Sequence, residues 1–378
     1  MNEILKPQDQ IPADICCAQD YEVLAQRFIP APSYAYIAGG SGHDISLAAN
    51  RSAFAQWAVY PRLLVDVTHG HTCLSLLDRD LPHPIFLAPV AFQKLAHPHG
   101  ELHTAQAAAA MQSCLIVSTM ATQRLEDIAA NAGPDKWFQL YFQPSREVTL
   151  DLLRRAEAAG YGALVVTLDA AIQAPSFSAI RAGFQLPADC LPVNLAGYAA
   201  PSGATLQPGD SRILQGLMRH APTWADLEWL LQQTLLPVWI KGVLHPDDAC
   251  VLRDKGAAGI IVSNHGGRTL DGAPASLRAL PAIRAAVGPD YPLLLDSGIR
   301  SGTDIFKAIA LGANAVLIGR LQLYALSVAG ALGVAHLLKL LREELEACMA
   351  LAGCAILADI QPRTLVPALT SVVSAAIK

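Results

Sequence analysis

The sequence predicts a closed (β/α)8 barrel of the α/β class, and three observations carry that prediction. Short β-branched or apolar runs alternate with longer segments of helical composition; eight of each fall between residues 84 and 351; and the runs are apolar on both faces. A strand buried on both faces belongs to a parallel sheet wrapped by helices. An open doubly wound sheet is the alternative. It normally carries a glycine fingerprint after its first strand, and PIFLAPVAFQK has none.

The expected strands are Pro84–Ala91, Ser113–Thr119, Trp137–Phe142, Gly162–Asp169, Pro237–Val243, Gly259–Asn264, Pro292–Ser297 and Ala315–Arg320. The expected helices are Gly100–Gln112, Thr122–Asn131, Arg146–Ala159, Trp224–Thr234, Pro246–Lys255, Ala275–Val287, Thr303–Leu311 and one continuous last helix, Leu321–Leu351. Ser145 and Ser301 stand where helix N-caps are needed, the latter with Asp304 three residues on. Residues 1–80 lie outside the repeat, as an extension with helical pieces at Tyr21–Phe28 and Ile45–Phe54. Residues 170–222 are too long for an ordinary βα loop. At the C-terminal face of a barrel such an insertion is expected to form a lid. The whole of residues 1–378 is read as one unit, with the barrel over 84–351.

Composition narrows the function. The chain has 378 residues, 52% hydrophobic and 16% charged, with a formal net charge of −5. That is more than enough apolar material for a large core, and it excludes disorder. No basic field or run of like charge exists to attract nucleic acid. No uninterrupted apolar stretch reaches the ~18 residues of a membrane span, and the start MNEILKPQDQ does not read as a signal peptide. The expected location is the cytoplasm. Eight cysteines are spread without a CxxC pair, which points to free thiols.

In a barrel of this kind the chemistry sits where strands end. Polar residues interrupt the apolar runs there: Gln139 and Tyr141, Thr167 and Asp169, Lys241, then Ser263, Asn264, His265 and Arg268, Asp296 and Arg300, and Gly319 with Arg320. The glycines and arginines of DSGIRSG and LIGR suit a phosphate held by backbone amides and a helix N-terminus. That phosphate belongs to a substrate, to pyridoxal phosphate or to a flavin. Lys241 suits a Schiff base, a fixed charge against an electron-rich ring, or a lysine snorkelling to water. His265, close to Arg268 and with Asp169 on a neighbouring strand, offers a base beside an anion clamp. His97, His99 and His103 lack the carboxylate or cysteine that would complete a metal set, so no metal is expected.

Together these segments resemble the FMN-dependent 2-hydroxy acid oxidases and dehydrogenases. The resemblance covers nearly the whole chain. It rests on YIAGGSGHDISLAANRSAF, PIFLAPVAFQKLAHPHGE, WFQLYF, VVTLDA, PVWIKGV, IIVSNHGGRTLDG, DSGIRSGTDIFKA and LIGR. It implies FMN as cofactor, cradled by Pro89, Val90, Ala91, Ser118, Gln139, Thr167, Lys241 and Ser263. The phosphate would rest on Asp296, Ser297, Gly298 and Arg300 and on Gly319 and Arg320. It implies His265 as the base, with Asp169 as its partner and Tyr141 on the substrate hydroxyl. Tyr36 and Arg268 would hold the substrate carboxylate, and Lys241 would balance charge on the reduced ring. The implied reaction oxidises an (S)-2-hydroxy acid, lactate-, glycolate- or mandelate-like, to the 2-oxo acid, with electrons passing through FMN to oxygen or another acceptor. A homotetramer is the implied assembly. Two positions depart from the family: Ser176 stands where it has an arginine near the active site, and Met120 where several relatives have a bulkier side chain. The rival readings are a flavin-binding barrel without hydroxy acid turnover and a Schiff-base aldolase using Lys241.

Overall fold

The computed structural model describes residues 4–199 and 206–368, and all eight expected strands are present. They are β1 (Ile85–Leu87), β2 (Leu115–Ser118), β3 (Lys136–Leu140), β4 (Leu164–Thr167), β5 (Val238–Val243), β6 (Gly259–Val262), β7 (Leu293–Leu295) and β8 (Ala315–Ile318). Each pairs in parallel with the next, and β8 closes on β1. The helices between and after them are α1 (Glu101–Met111), α2 (Leu125–Asn131), α3 (Arg146–Ala158), α4 (Trp224–Leu231), α5 (Pro246–Asp254), α6 (Ser276–Val287), α7 (Gly302–Ala310) and α8 (Arg320–Ala352). The caps read from sequence hold: the hydroxyl of Ser145 accepts from the Val148 amide and that of Ser301 from the Asp304 amide.

Strand periodicity sorts the barrel interior into layers. Side chains alternate across a strand. Phe86, Ile116, Trp137, Val165, Trp239, Ile261, Leu294 and Leu317 form a buried apolar cluster distinct from the one beneath the helices. Two residues further along each strand, the same inward direction belongs to Ala88, Ser118, Gln139, Thr167, Lys241, Ser263, Asp296 and Gly319. Register keeps that upper layer level, since Ser118 pairs with Gln139 and Thr167 with Lys241. Below it, Trp137 stacks on Trp239 at 5.1 Å between ring centres and meets Phe86 edge-on at 5.4 Å. The aromatic plug closes one end of the barrel and leaves the polar layer as the floor of the other.

Several elements were not expected. A helix over Ala31–Ala38 carries Tyr36, a hairpin pairs Leu74–Leu76 with Arg79–Leu81 against the plug, and Trp57–Val59 pairs antiparallel with Leu365–Pro367. The expected continuous last helix is interrupted at Ala329 and Gly330, where Gly330 takes φ +54°. A Cβ there would stand 2.7 Å from His103 Nδ1, so glycine is required for the close approach of α8 to α1. By length and composition α8 suffices to cross a membrane, but most of it is buried in this fold.

The insertion is pinned at several points. The Gly42 amide donates to the Pro175 carbonyl, the Val193 amide to that of Ala121, and the buried Asn194 side chain accepts from Leu125 and Arg155. A capping box of Thr223 and Asp226 then starts α4. Residues 200–205 of the insertion lie outside the described residues.

Candidate active site

A cavity of about 420 Å³ opens at the end of the barrel where the strands terminate, within the ~300–1,000 Å³ usual for cofactor and ligand sites. Pro89, Val90, Ala91, Ser118, Gln139, Thr167, Lys241, Asp296, Ser297, Gly298, Arg300, Gly319 and Arg320 line it, with Tyr36, Tyr141, His265 and Arg268. The strand-end residues picked from sequence are therefore brought to one place. Three stand behind the wall, among them Asn264, which is bonded to Asn50. Asp169 backs His265, and the Ser263 hydroxyl accepts from both Lys241 Nζ at 2.8 Å and the His265 amide at 3.0 Å.

His265 has φ +58°, a left-handed backbone that turns its ring off the β6 end. Its Nδ1 lies 2.9 Å from Asp169 Oδ1, and Tyr141 Oη lies 3.5 Å from Nε2. Burial alone would raise the Asp169 carboxyl. The charge and hydrogen bond of His265, together with the Lys241 charge, outweigh it and hold that carboxyl below its ordinary value. Burial pushes the Tyr141 phenol up, so it stays protonated. Gly242 makes room for the pair. It has φ +101°, and a Cβ there would stand 2.5 Å from Asp169 Cβ.

Lys241 is 4% exposed and ion-paired with Asp296 at 2.9 Å. Burial opposes its charge, but Asp296 and Asp169 more than compensate and raise its pKa. A protonated amine cannot add to a carbonyl, so this arrangement disfavours the aldolase reading and suits a fixed positive charge.

The lower wall holds polar atoms awaiting partners. Gln139 Nε2 and Thr167 Oγ1 are buried and have none, although Gln139 Oε1 accepts from Ser118. An unmade buried hydrogen bond costs ~1–3 kcal/mol. The donor and hydroxyl, beside Lys241, match the alternating carbonyl and N–H groups of a flavin's pyrimidine ring. The residues present therefore fit FMN.

At the phosphate end the expected residues already have partners in the protein. The Asp296 carboxylate binds Lys241 and accepts from Ser297. Arg300 is paired with Glu22 at 2.9 Å and also donates to the Ile299 carbonyl. Arg320 donates to the carbonyls of Ile37, Gly39 and Gly266. Burial, with the nearby Arg268 charge, pulls its guanidinium down to about 9.

Arg268 lies over the Tyr36 ring at 4.7 Å and donates to the Tyr36 and Gly39 carbonyls. Ser176 does not line the cavity. Its hydroxyl caps the short helix Phe177–Arg181, and Arg181 lies over the Phe177 ring and is not on the cavity wall. Met120 is on the wall, joined by residues that sequence reasoning missed: Phe92, Phe142, Gln143, Gln173, Leu195 and His220. Their only signal was membership of the loops after strands or of the insertion.

The model of the FMN-dependent dehydrogenase family matches residues 25–367. The chain belongs to that family. It is accordingly an FMN-dependent oxidoreductase. It is 64% identical to the L-lactate oxidase of Alicycliphilus denitrificans over 96% of this chain and 100% of that one. It is 38% identical to glycolate oxidase 3 of Arabidopsis thaliana over 92% and 95%. A crystal structure of mandelate oxidase with (S)-2-phenylpropionate superposes with a TM-score of 0.83 at 40% identity, covering 93% of this chain and 98% of that one. The barrel and its FMN chemistry, expected from sequence, agree with these relatives.

Proposed function

We propose that this chain oxidises L-lactate to the 2-oxo acid, with molecular oxygen as the final electron acceptor. The observation that carries the reading is the His265–Asp169 pair, with Tyr141 and Arg268, on the wall above an edge suited to FMN. The full-length similarity to a protein named L-lactate oxidase supports the substrate and the acceptor.

FMN, which Gln139, Thr167 and Lys241 would hold, would supply the two-electron redox chemistry between substrate and acceptor. Arg268 holds the substrate carboxylate, with Tyr36 beside it. Tyr141, kept protonated by burial, donates to a substrate oxygen. His265 takes a substrate proton at Nε2, because Asp169 accepts the hydrogen on Nδ1. The Asp169 carboxylate then faces the imidazolium so formed. Lys241, held charged by Asp296, balances the negative charge that arrives on the ring side of the cavity. Met120 and Leu195 give the substrate's side chain an apolar wall. The intact pair argues against a barrel that binds flavin without turnover.

Anaerobic mixing of the holoenzyme with L-lactate, glycolate and mandelate, followed in the flavin's visible bands, tests the reading. L-Lactate is expected to bleach the flavin fastest and air to restore the colour. No bleaching by L-lactate overturns it. We further propose a homotetramer in the cytoplasm; sedimentation velocity and cell fractionation test those two points.

A further inference from the structure

Every basic side chain on the cavity wall except one already has a partner in the protein. Lys241 is bound to Asp296 and Ser263, and His265 to Asp169. Arg268 donates to two backbone carbonyls, Arg300 to Glu22 and Ile299, and Arg320 to three carbonyls. The exception is His220, which lines the cavity and has no hydrogen-bond or ion-pair partner among the described residues. Among the described residues it is also the one ionisable side chain that the segment 170–222 brings to the wall, the others there being Ala170, Ala171, Gln173, Leu195 and Pro222.

Its position is set from behind. Only Ala221 and Pro222 separate it from Thr223, whose capping box with Asp226 starts α4. Asp226 is in turn ion-paired with Arg146 at 2.7 Å. Proline removes one backbone freedom from that short link. The first part of the insertion brings no cation, since Ser176 is occupied as a helix cap and Arg181 lies over Phe177.

We infer that His220 is a substrate-binding residue whose imidazole donates a hydrogen bond to the carboxylate of the bound 2-hydroxy acid, from the insertion side of the cavity. Arg268 meets the same carboxylate from the barrel side. A free imidazole gains the whole of a charge-assisted bond to an entering anion, and it adds to Arg268, whose Nη1 serves the two carbonyls and whose other nitrogens meet the carboxylate. The inference rests on the reading of the substrate as a 2-hydroxy acid anion.

The test compares His220→Ala and His220→Arg with the native holoenzyme in steady-state turnover of L-lactate and in binding of oxalate. Oxalate is an unreactive dicarboxylate whose binding is read as a shift in the flavin's visible spectrum. His220→Ala is expected to raise KM and the oxalate Kd together by about 10- to 100-fold, the size of one charge-assisted bond. Its kcat is expected to stay within about threefold of native, because no proton transfer passes through this side chain. His220→Arg is expected to restore most of the affinity. Unchanged KM and Kd in His220→Ala overturn the inference, and so does a loss that His220→Arg fails to repair. If the native protein binds oxalate but oxidises no hydroxy acid, the proposed substrate falls. The oxalate series still decides the role of His220.

Discussion

Asp169→Asn keeps the shape of the side chain that orients the base and removes its charge. In the native protein Asp169 lies 2.9 Å from His265 Nδ1 and, as an acceptor, leaves Nε2 of the neutral ring free to take a proton. Once the ring is charged, the carboxylate stabilises it. A unit pair at about 4 Å is worth ~4 kcal/mol at an effective dielectric of roughly 20. The His265 side chain is 24% exposed, so water screens part of that. A share of ~2–3 kcal/mol remains, or roughly 30- to 150-fold in rate at about 1.4 kcal/mol per factor of ten. An asparagine amide that donates to Nδ1 adds a second loss, because it drives the remaining hydrogen onto Nε2, where the proton must go. The combined expectation is a fall of about 10²- to 10⁴-fold in the rate of flavin reduction, with FMN still bound. Anaerobic stopped-flow with L-lactate measures that rate directly, and the ratio of visible to protein absorbance measures flavin content. A variant that holds its flavin and is reduced within about threefold of the native rate would refute the assignment of Asp169 as partner of the base.

Further perturbations probe the supports of the site. Gly242→Ala places a methyl group against Asp169 in a backbone of positive φ, so both kcat and Tm are expected to fall, kcat by at least about tenfold; a thermal melt beside a turnover assay checks it. Asn50 and Asn264 exchange two hydrogen bonds of 2.8 Å between the N-terminal extension and the loop carrying His265. Asn50→Leu removes both bonds and leaves the buried Asn264 amide only the Pro274 carbonyl and the Gly267 amide as partners, at ~0.5–1.5 kcal/mol for each bond lost, and is expected to lower Tm and kcat with little change in KM. His83 is buried with Nε2 on the Met111 carbonyl and Nδ1 accepting from Ile85, and burial pushes it down to about 4. Between its ordinary 6.5 and about 4 the unfolded chain binds a proton that the folded chain refuses, so stability falls as pH drops through that window, by up to ~3 kcal/mol for this residue. Denaturant melts from pH 7 to pH 4 should show that loss, and His83→Gln should reduce it.

The barrel was legible because a two-sided apolar strand leaves a signal that few other elements share, and the site was legible because polar residues interrupt that signal at a fixed offset. Gln139, Thr167 and Lys241 each sit two positions beyond an inward apolar residue, so the strand period that buries the plug also raises them to the cavity floor. What escaped lacks such a period. The helix Ala31–Ala38 is short and begins with a proline in its first turn. The hairpin turn at Leu77 and Asp78 uses positive φ without glycine or asparagine, so nothing in its composition announces it. The strand Trp57–Val59 finds its partner at Leu365–Pro367, a pairing between distant segments that local pattern does not encode. The commitments of Arg300 and Arg320 escaped for the same reason, since their acceptors lie in Glu22, Ile37 and Gly39.

The guanidinium of Arg320 joins a residue made late on the ribosome to carbonyls at Ile37 and Gly39, synthesised 283 and 281 positions earlier. Until that arginine emerges, the early segment is fastened across the mouth by Arg268 but lacks the bonds that Arg320 makes to Ile37 and Gly39. A nascent chain shorter than this also lacks β8, which closes the barrel on β1, so the mouth of the cavity is completed only once residue 320 is available.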